Sequence, residues 1–168
     1  MKKIVIVLLS GLLTTGLAPS QKKADKQALR EKQYHDLIEL IHTKQYRFEA
    51  QRAIPTQFRP VHTISAPNTL TINDSVAIAE LPFFGRAYYA EYGSTEGGIR
   101  FNGEILEYNV VLNDKRRSID ISFKVKSTND QFQIRMEMFG MDDCNVGVTS
   151  NNRAFISYQG SIGPIGKD

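Results

Sequence analysis

A mainly β fold is predicted: an antiparallel up-and-down meander forming a small barrel or sandwich, with one N-terminal α-helix. Three observations carry this expectation. From Lys44 onward apolar residues recur at every second position, the period of a strand with one dry and one wet face. Turn signals break that alternation at intervals of about ten residues, the spacing of sequential hairpins. A single stretch with apolar spacings of three and four precedes the first strand, which is helical period.

The helix is expected over residues 28–42. Tyr34, Leu37, Ile38 and Ile41 make one apolar stripe, while Lys32, Gln33, Asp36 and Glu39 face away. Alone it would be marginal in water, so it packs on the side or end of something apolar. Tyr46, Phe48 and Ala50 open the β series. Leu70 and Ile72 lead into the tight-turn pair Asn73-Asp74, and Val76 and Ile78 follow it. Leu106, Tyr108, Val110 and Leu112 read as one face of a strand that ends at Asn113-Asp114. The clearest strand is Ser118 to Lys126, with Ile119, Ile121, Phe123 and Val125 on its dry face. After a polar turn, Phe132, Ile134, Met136 and Met138 repeat the pattern. Val146 and Val148 mark a short strand, and Ala154, Ile156 and Tyr158 a last one. Half-buried strands need a second apolar layer, which a sheet supplies by curling into a barrel or folding over as a sandwich. The alternation is the same in both.

The N-terminal segment is read as a secretory signal. Met1-Lys2-Lys3 is a short basic start, an apolar run follows to Ala18, and small residues stand at Ala18 and Ser20. That pattern places cleavage between Ser20 and Gln21. The run is too short, and too interrupted by Ser10, Gly11, Thr14 and Thr15, to be read as a transmembrane span. No cysteine follows it, so no lipid anchor is expected. The organisation is then a signal peptide over 1–20, a polar lysine-rich tether over 21–27, and a single β-rich domain over 28–168. The expected location is the periplasm or the medium. Losing Lys2 and Lys3 lowers the formal net charge from +3 to +1. With no clustered positive face, nucleic acid is not an expected partner. Lys115-Arg116-Arg117 is the one remaining basic run and reads as a hairpin tip.

One stretch breaks the alternation. Leu81-Pro82-Phe83-Phe84-Gly85-Arg86-Ala87-Tyr88-Tyr89 is followed by Tyr92-Gly93 and Gly97-Gly98-Ile99-Arg100-Phe101. Seven of the sixteen aromatic residues lie between Phe83 and Tyr108, so this is where a ligand mouth would be sought. Pro82 marks an edge or a strand end. Aromatic rings can stack on a sugar or cover a lipid chain, and arginine can hold a carboxylate or phosphate at two points. Phe83, Phe84, Arg86, Tyr88 and Tyr92 are therefore the candidate ligand-binding residues. The competing reading is that the rings close the core where the strands bend.

The 81–88 segment, with Tyr92-Gly93 and Gly98-Ile99-Arg100-Phe101, resembles the hallmark of a family of small exported Bacteroidota proteins. That family is catalogued as a domain of unknown function. Ser150 to Gly160 is similar to its closing motif, so the resemblance spans nearly all the chain after the signal. It implies an envelope or secreted protein, relatives that carry lipoprotein signals, and no assigned activity or catalytic residues. The missing lipobox cysteine sets this chain apart from those relatives.

Catalytic patterns find little support. Cys144 follows Asp142-Asp143, and neighbouring carboxylates raise a thiol's pKa instead of activating it. His35 and His42 are seven apart on the helix, too far for joint metal ligation, and His62 stands alone. No metal, cofactor or enzymatic activity is expected. Asn73-Asp74-Ser75-Val76 is similar to an O-glycosylation acceptor at a hairpin tip, which makes Ser75 a candidate modification site. The function expected from the residues is a non-catalytic small-ligand-binding module of the envelope. The alternative is a protein-interaction or structural component, met through its wet sheet face or an edge near Pro82.

Overall fold

The computed structural model describes residues 19–63, 67–88, 98–127 and 130–166. Among the described residues one helix, α1 (Pro19–His42), leads into nine strands: β1 (Gln45–Pro55), β2 (Val61–His62), β3 (Thr69–Asn73), β4 (Val76–Leu81), β5 (Ile99–Asn113), β6 (Ser118–Lys126), β7 (Gln131–Gly140), β8 (Asp143–Ser150) and β9 (Ile156–Pro164). Every pairing between these strands is antiparallel, in the order β2-β1-β3-β4-β5-β6-β7-β8-β9. A further pairing of β1 with β9, from Tyr46↔Pro164 to Pro55↔Ile156, closes the sheet on itself. The short β2 only extends the flank of β1 beyond β3. The result is an eight-stranded closed barrel with an N-terminal helix, so the choice between barrel and sandwich falls to the barrel.

The period-two readings of β1, β6, β7 and β8 reach the structure intact. Tyr46, Phe48, Ile119, Ile121, Phe123, Ile134, Met136 and Val146 are all buried inside. Two strands differ. The two-residue turn at Asp74-Ser75 pairs Asn73 with Val76, and Ile72 and Leu70 with Ala77 and Ala79. Ala77, Ala79 and Leu81 therefore face the core, while Ile78 is exposed. In β5 the register with β6 shifts between Leu106 and Asn109, where Glu107 has φ 53°. The bulge inserts an extra residue and reverses the alternation. Ile105 lies opposite buried Val125 and Leu106 opposite Lys124, whereas Val110 and Leu112 lie opposite buried Ile121 and Ile119. Leu106 thus faces outward, and Val110 and Leu112 face inward, not one shared side.

The helix starts at Pro19, well before residue 28, and so takes in residues 21–27, read from the sequence as a flexible tether. Lysine, alanine and glutamine are good helix formers and extend it without burying anything, since residues 23–30 are all exposed. Ser20 and Gln21, the expected cleavage point, fall in its first turn; most of the expected signal lies outside the described residues. The packed face is Tyr34, Leu37, Leu40 and Ile41, which adds Leu40 to the expected stripe. Tyr34 Oη donates to Asp114 Oδ1 at 2.9 Å and Arg117 pairs with Glu31, fastening the helix to the β5–β6 turn. At the other end, Thr43 Oγ1 donates to the Leu40 carbonyl at 2.7 Å. Lys44, at φ 53°, turns the chain into β1 in the left-handed conformation that ends helices.

Candidate functional site

The meander gives the barrel two different ends. The helix, the β3–β4 turn, the β5–β6 turn and the β7–β8 turn share one. The long β4–β5 connection, the β6–β7 turn and the β8–β9 connection share the other.

The sequence-predicted aromatic segment is at the second end, against the β8–β9 connection. Ala87 and Arg153 form an isolated antiparallel bridge. Tyr88 N donates to the Asn152 carbonyl at 2.8 Å, and Ala154 N to the Arg86 carbonyl at 3.0 Å. The Arg153 guanidinium lies 5.4 Å from the centre of the Phe83 ring and donates to the Gly98 carbonyl at 2.7 Å. Tyr158 Oη donates to the Pro82 carbonyl at 2.8 Å. A Cβ on Gly85 would come within 2.7 Å of the Phe83 ring, so a side chain there would displace that ring. The two segments singled out in the sequence are thus one closing unit. Phe83 and Phe84 are half-buried against the core, while Arg86 and Tyr88 are exposed. Tyr92 lies outside the described residues. Pro82 stands just past the end of β4, a strand paired on both sides, and so marks a strand end. Ser75 is exposed at the β3–β4 turn.

A cleft of about 250 Å³ opens at the first end, between α1 and β5. Its origin is a mismatch of strand length. β4 has 6 residues and β5 has 15, so β4 accompanies β5 only from Ile99 to Glu104. The bond from Ile105 N to the Ser75 carbonyl, 2.7 Å, is the last on that side. Beyond it no described strand lies beside Val110 and Leu112 on that side, and only β6 flanks them. Ile38 and Ile41 of the helix form the opposite wall, with His42, Lys44 and Tyr108 completing the lining.

Tyr108 is held from behind. Its hydroxyl lies 3.0 Å from that of Tyr46, and its ring 6.1 Å from that of Phe123. Burial pushes the phenol pKa of both tyrosines up, most strongly for Tyr46, so neither offers a phenolate near neutrality. The Lys44 ammonium sits 5.6 Å from the centre of the Tyr108 ring and is in no ion pair among the described residues. The cleft is therefore an apolar slot with the Lys44 ammonium at its rim, outside any ion pair among the described residues. Such an arrangement can hold an anionic head and an apolar tail.

The chain's single cysteine does not line this cleft. Cys144 is fully buried; desolvation, and then the Asp143 charge, push its thiol well above the ordinary range. Among the described residues no three histidine, cysteine, aspartate or glutamate side chains gather where a metal would bind. No described helix is long and apolar enough to cross a membrane.

Lys44, Ile38, Ile41 and Val110 were not sequence candidates for a site. Alternation alone signals a strand, and nothing local to β5 says that its neighbour stops nine residues short.

Residues 28–162 match a family model described as "Domain of unknown function (DUF4251)". No curated protein matches the chain. The crystal structure of a DUF4251 family protein from Bacteroides eggerthii is similar, with a TM-score of 0.64 and 20% identity over 82% of this chain and 91% of that one. At that identity the likeness carries the fold alone.

Proposed function

Since the chain belongs to the DUF4251 family, a domain of unknown function, we propose from its own geometry that it is a non-catalytic binding module of the cell envelope whose ligand is a small anionic amphiphile. The cleft between α1 and β5 carries this reading. At about 250 Å³ it is smaller than the range of about 300–1,000 Å³ typical of drug-sized sites, so it suits a single short chain. Ile38, Ile41, Val110 and Leu112 would cover the tail. Lys44 would take the head group. Its stacking on Tyr108 is worth only about 0.5–1 kcal/mol at an exposed site, less than the roughly 1.5–3 kcal/mol of a charged hydrogen bond. Export, to the periplasm or medium, is supported by the basic start, apolar run and small residues of Met1 to Ser20.

Decanoate is a suitable probe, titrated by calorimetry with decanol as the uncharged control. Saturable binding of decanoate, weaker for decanol, is the expected result. Lys44→Asn removes the charge but keeps a residue that tolerates positive φ. It should weaken decanoate roughly tenfold or more. Equal affinity for acid and alcohol, or no change in the variant, would remove Lys44 from the reading; no saturable binding at all would end it.

A further inference from the structure

Two tyrosine hydroxyls behind the cleft carry one proton more than they can use. Tyr46 Oη and Tyr108 Oη stand 3.0 Å apart, and neither has another hydrogen-bond partner among the described residues. Each hydroxyl has one proton and two lone pairs, so the bond between them takes a single proton and leaves the other to be met elsewhere. Tyr46, on β1, is fully buried inside the barrel. A proton left unmet there would bear the full cost of its lost water. Tyr108 is only half-buried and lines the cleft. The favoured arrangement therefore has Tyr46 donating to Tyr108, with the Tyr108 proton turned to the cleft. The β5 bulge aims this ring. Glu107 and Tyr108 stand between the pairs Leu106↔Lys124 and Asn109↔Ser122, where Glu107 reaches Lys124 and Tyr108 packs against Phe123.

We propose that Tyr108 is the second polar contact of this site, and that the ligand is a short hydroxy acid. Its carboxylate meets Lys44, and an oxygen on the third carbon of its chain accepts from the Tyr108 hydroxyl. This rests on the reading of the cleft as a site for an anionic amphiphile and narrows the ligand within that class. The Lys44 ammonium stands 5.6 Å from the centre of the Tyr108 ring, and the hydroxyl is fixed to the edge of that same ring. One ligand reaches both when its polar groups are a few atoms apart, as a carboxylate and a hydroxyl on the third carbon are. A plain fatty acid would set methylene groups against the Tyr108 proton and strip it of water without replacing the bond. A site that presents a donor discriminates against the analogue lacking the acceptor. Ile38, Ile41, Val110 and Leu112 would then cover the carbons beyond the third.

Calorimetric titration with racemic 3-hydroxydecanoate beside decanoate tests this. The hydroxy acid should bind about fivefold more tightly, the gain of one uncharged hydrogen bond. Tyr108→Phe keeps the ring under Lys44 and removes the donor, so the two acids should then bind alike, within about twofold. Because both acids are compared on the same folded variant, any loss of stability cancels from that ratio. Tyr46→Phe should keep the preference, since the Tyr108 proton faces the cleft with or without its neighbour. Equal binding of the two acids by the unaltered protein overturns the proposal and leaves the amphiphile reading standing. A preference that survives Tyr108→Phe overturns it too, as does one that arises only in Tyr46→Phe, which would mean that Tyr108 donates inward. Saturable binding of neither acid would end the amphiphile reading and this proposal with it.

Discussion

Gly160 shows how much one residue can decide here. Barrel closure brings β9 against β1 where β1 bulges, between Ala50 and Arg52. The bulge is stitched from outside: Thr63 Oγ1 and Asn68 Nδ2 both donate to the Ala50 carbonyl, the latter at 2.6 Å. A Cβ on Gly160 would lie 1.9 Å from the Glu49 carbonyl oxygen, a backbone atom with nowhere to go. Gly163, on the same strand, has nothing within 4 Å of that position. Urea unfolding should therefore show Gly160→Ala destabilised by about 3 kcal/mol or more, and Gly163→Ala changed by less than about 1 kcal/mol. Similar midpoints for the two would mean that the closure is looser than described. Neither glycine stood out in the sequence, because the demand comes from a strand more than a hundred residues away. Cys144 was legible in part: Asp143 does raise its thiol, but burial is the larger cause, and burial depends on the fold.

Among the elements, α1 and β5 differ most from a local reading, and for related reasons. The helical stripe predicts which side of α1 is buried, yet not that Leu40 joins it, because the barrel mouth is wider than a single-neighbour contact. Leu37 is fully buried beneath the helix, whereas Leu29, two turns earlier, is 57% exposed. Leu37→Ala should cost about 2–5 kcal/mol and Leu29→Ala within about 0.5 kcal/mol, read as shifts in thermal midpoint. A comparable loss at Leu29 would show that the N-terminal half of the helix is packed too. In β5 the four apolar residues read as one face are divided by the bulge at Glu107, a backbone event that no side-chain period reveals. That division leaves Leu106 facing outward and places Val110 and Leu112 in the cleft. The aromatic segment before β5 stands out in the sequence because it breaks the strand period. Phe83 and Phe84 are half-buried against the core, Arg153 lies over the Phe83 ring, Tyr158 donates to the Pro82 carbonyl, and Arg86 and Tyr88 are exposed.

The whole molecule packs without disulfide or tryptophan, and Tyr34, Tyr46 and Tyr158 are buried in its interior. Burial raises the phenol pKa of Tyr34, Tyr46, Tyr108 and Tyr158, with Tyr34 pushed up to about 12, its bond to Asp114 adding to the effect. A group whose folded pKa is raised gives stability that is complete below the unfolded value, near 10 for tyrosine. That stability drains as pH rises toward the folded value. Unfolding free energy should thus fall from pH 10 through 12, as the unfolded chain ionises ahead of the folded one. Tyr34→Phe should flatten part of that slope. Stability unchanged between pH 9 and pH 12 would contradict the burial of these phenols.

By itself the sequence determined the class of fold, the dry face of most strands, the tight turns, the apolar stripe of the helix and the place of the segment that departs from the strand period. These follow from periods of 2 and 3.6 and from turn chemistry, all carried by residues close in the chain. Tertiary structure alone decided that the sheet closes through β1 and β9, that Gly160 must lack a side chain, and that β5 is left bare beside the helix with Lys44 at the rim. Each of those is a relation between segments far apart in sequence. A period can say which way a side chain points, but not whether another strand arrives to meet it.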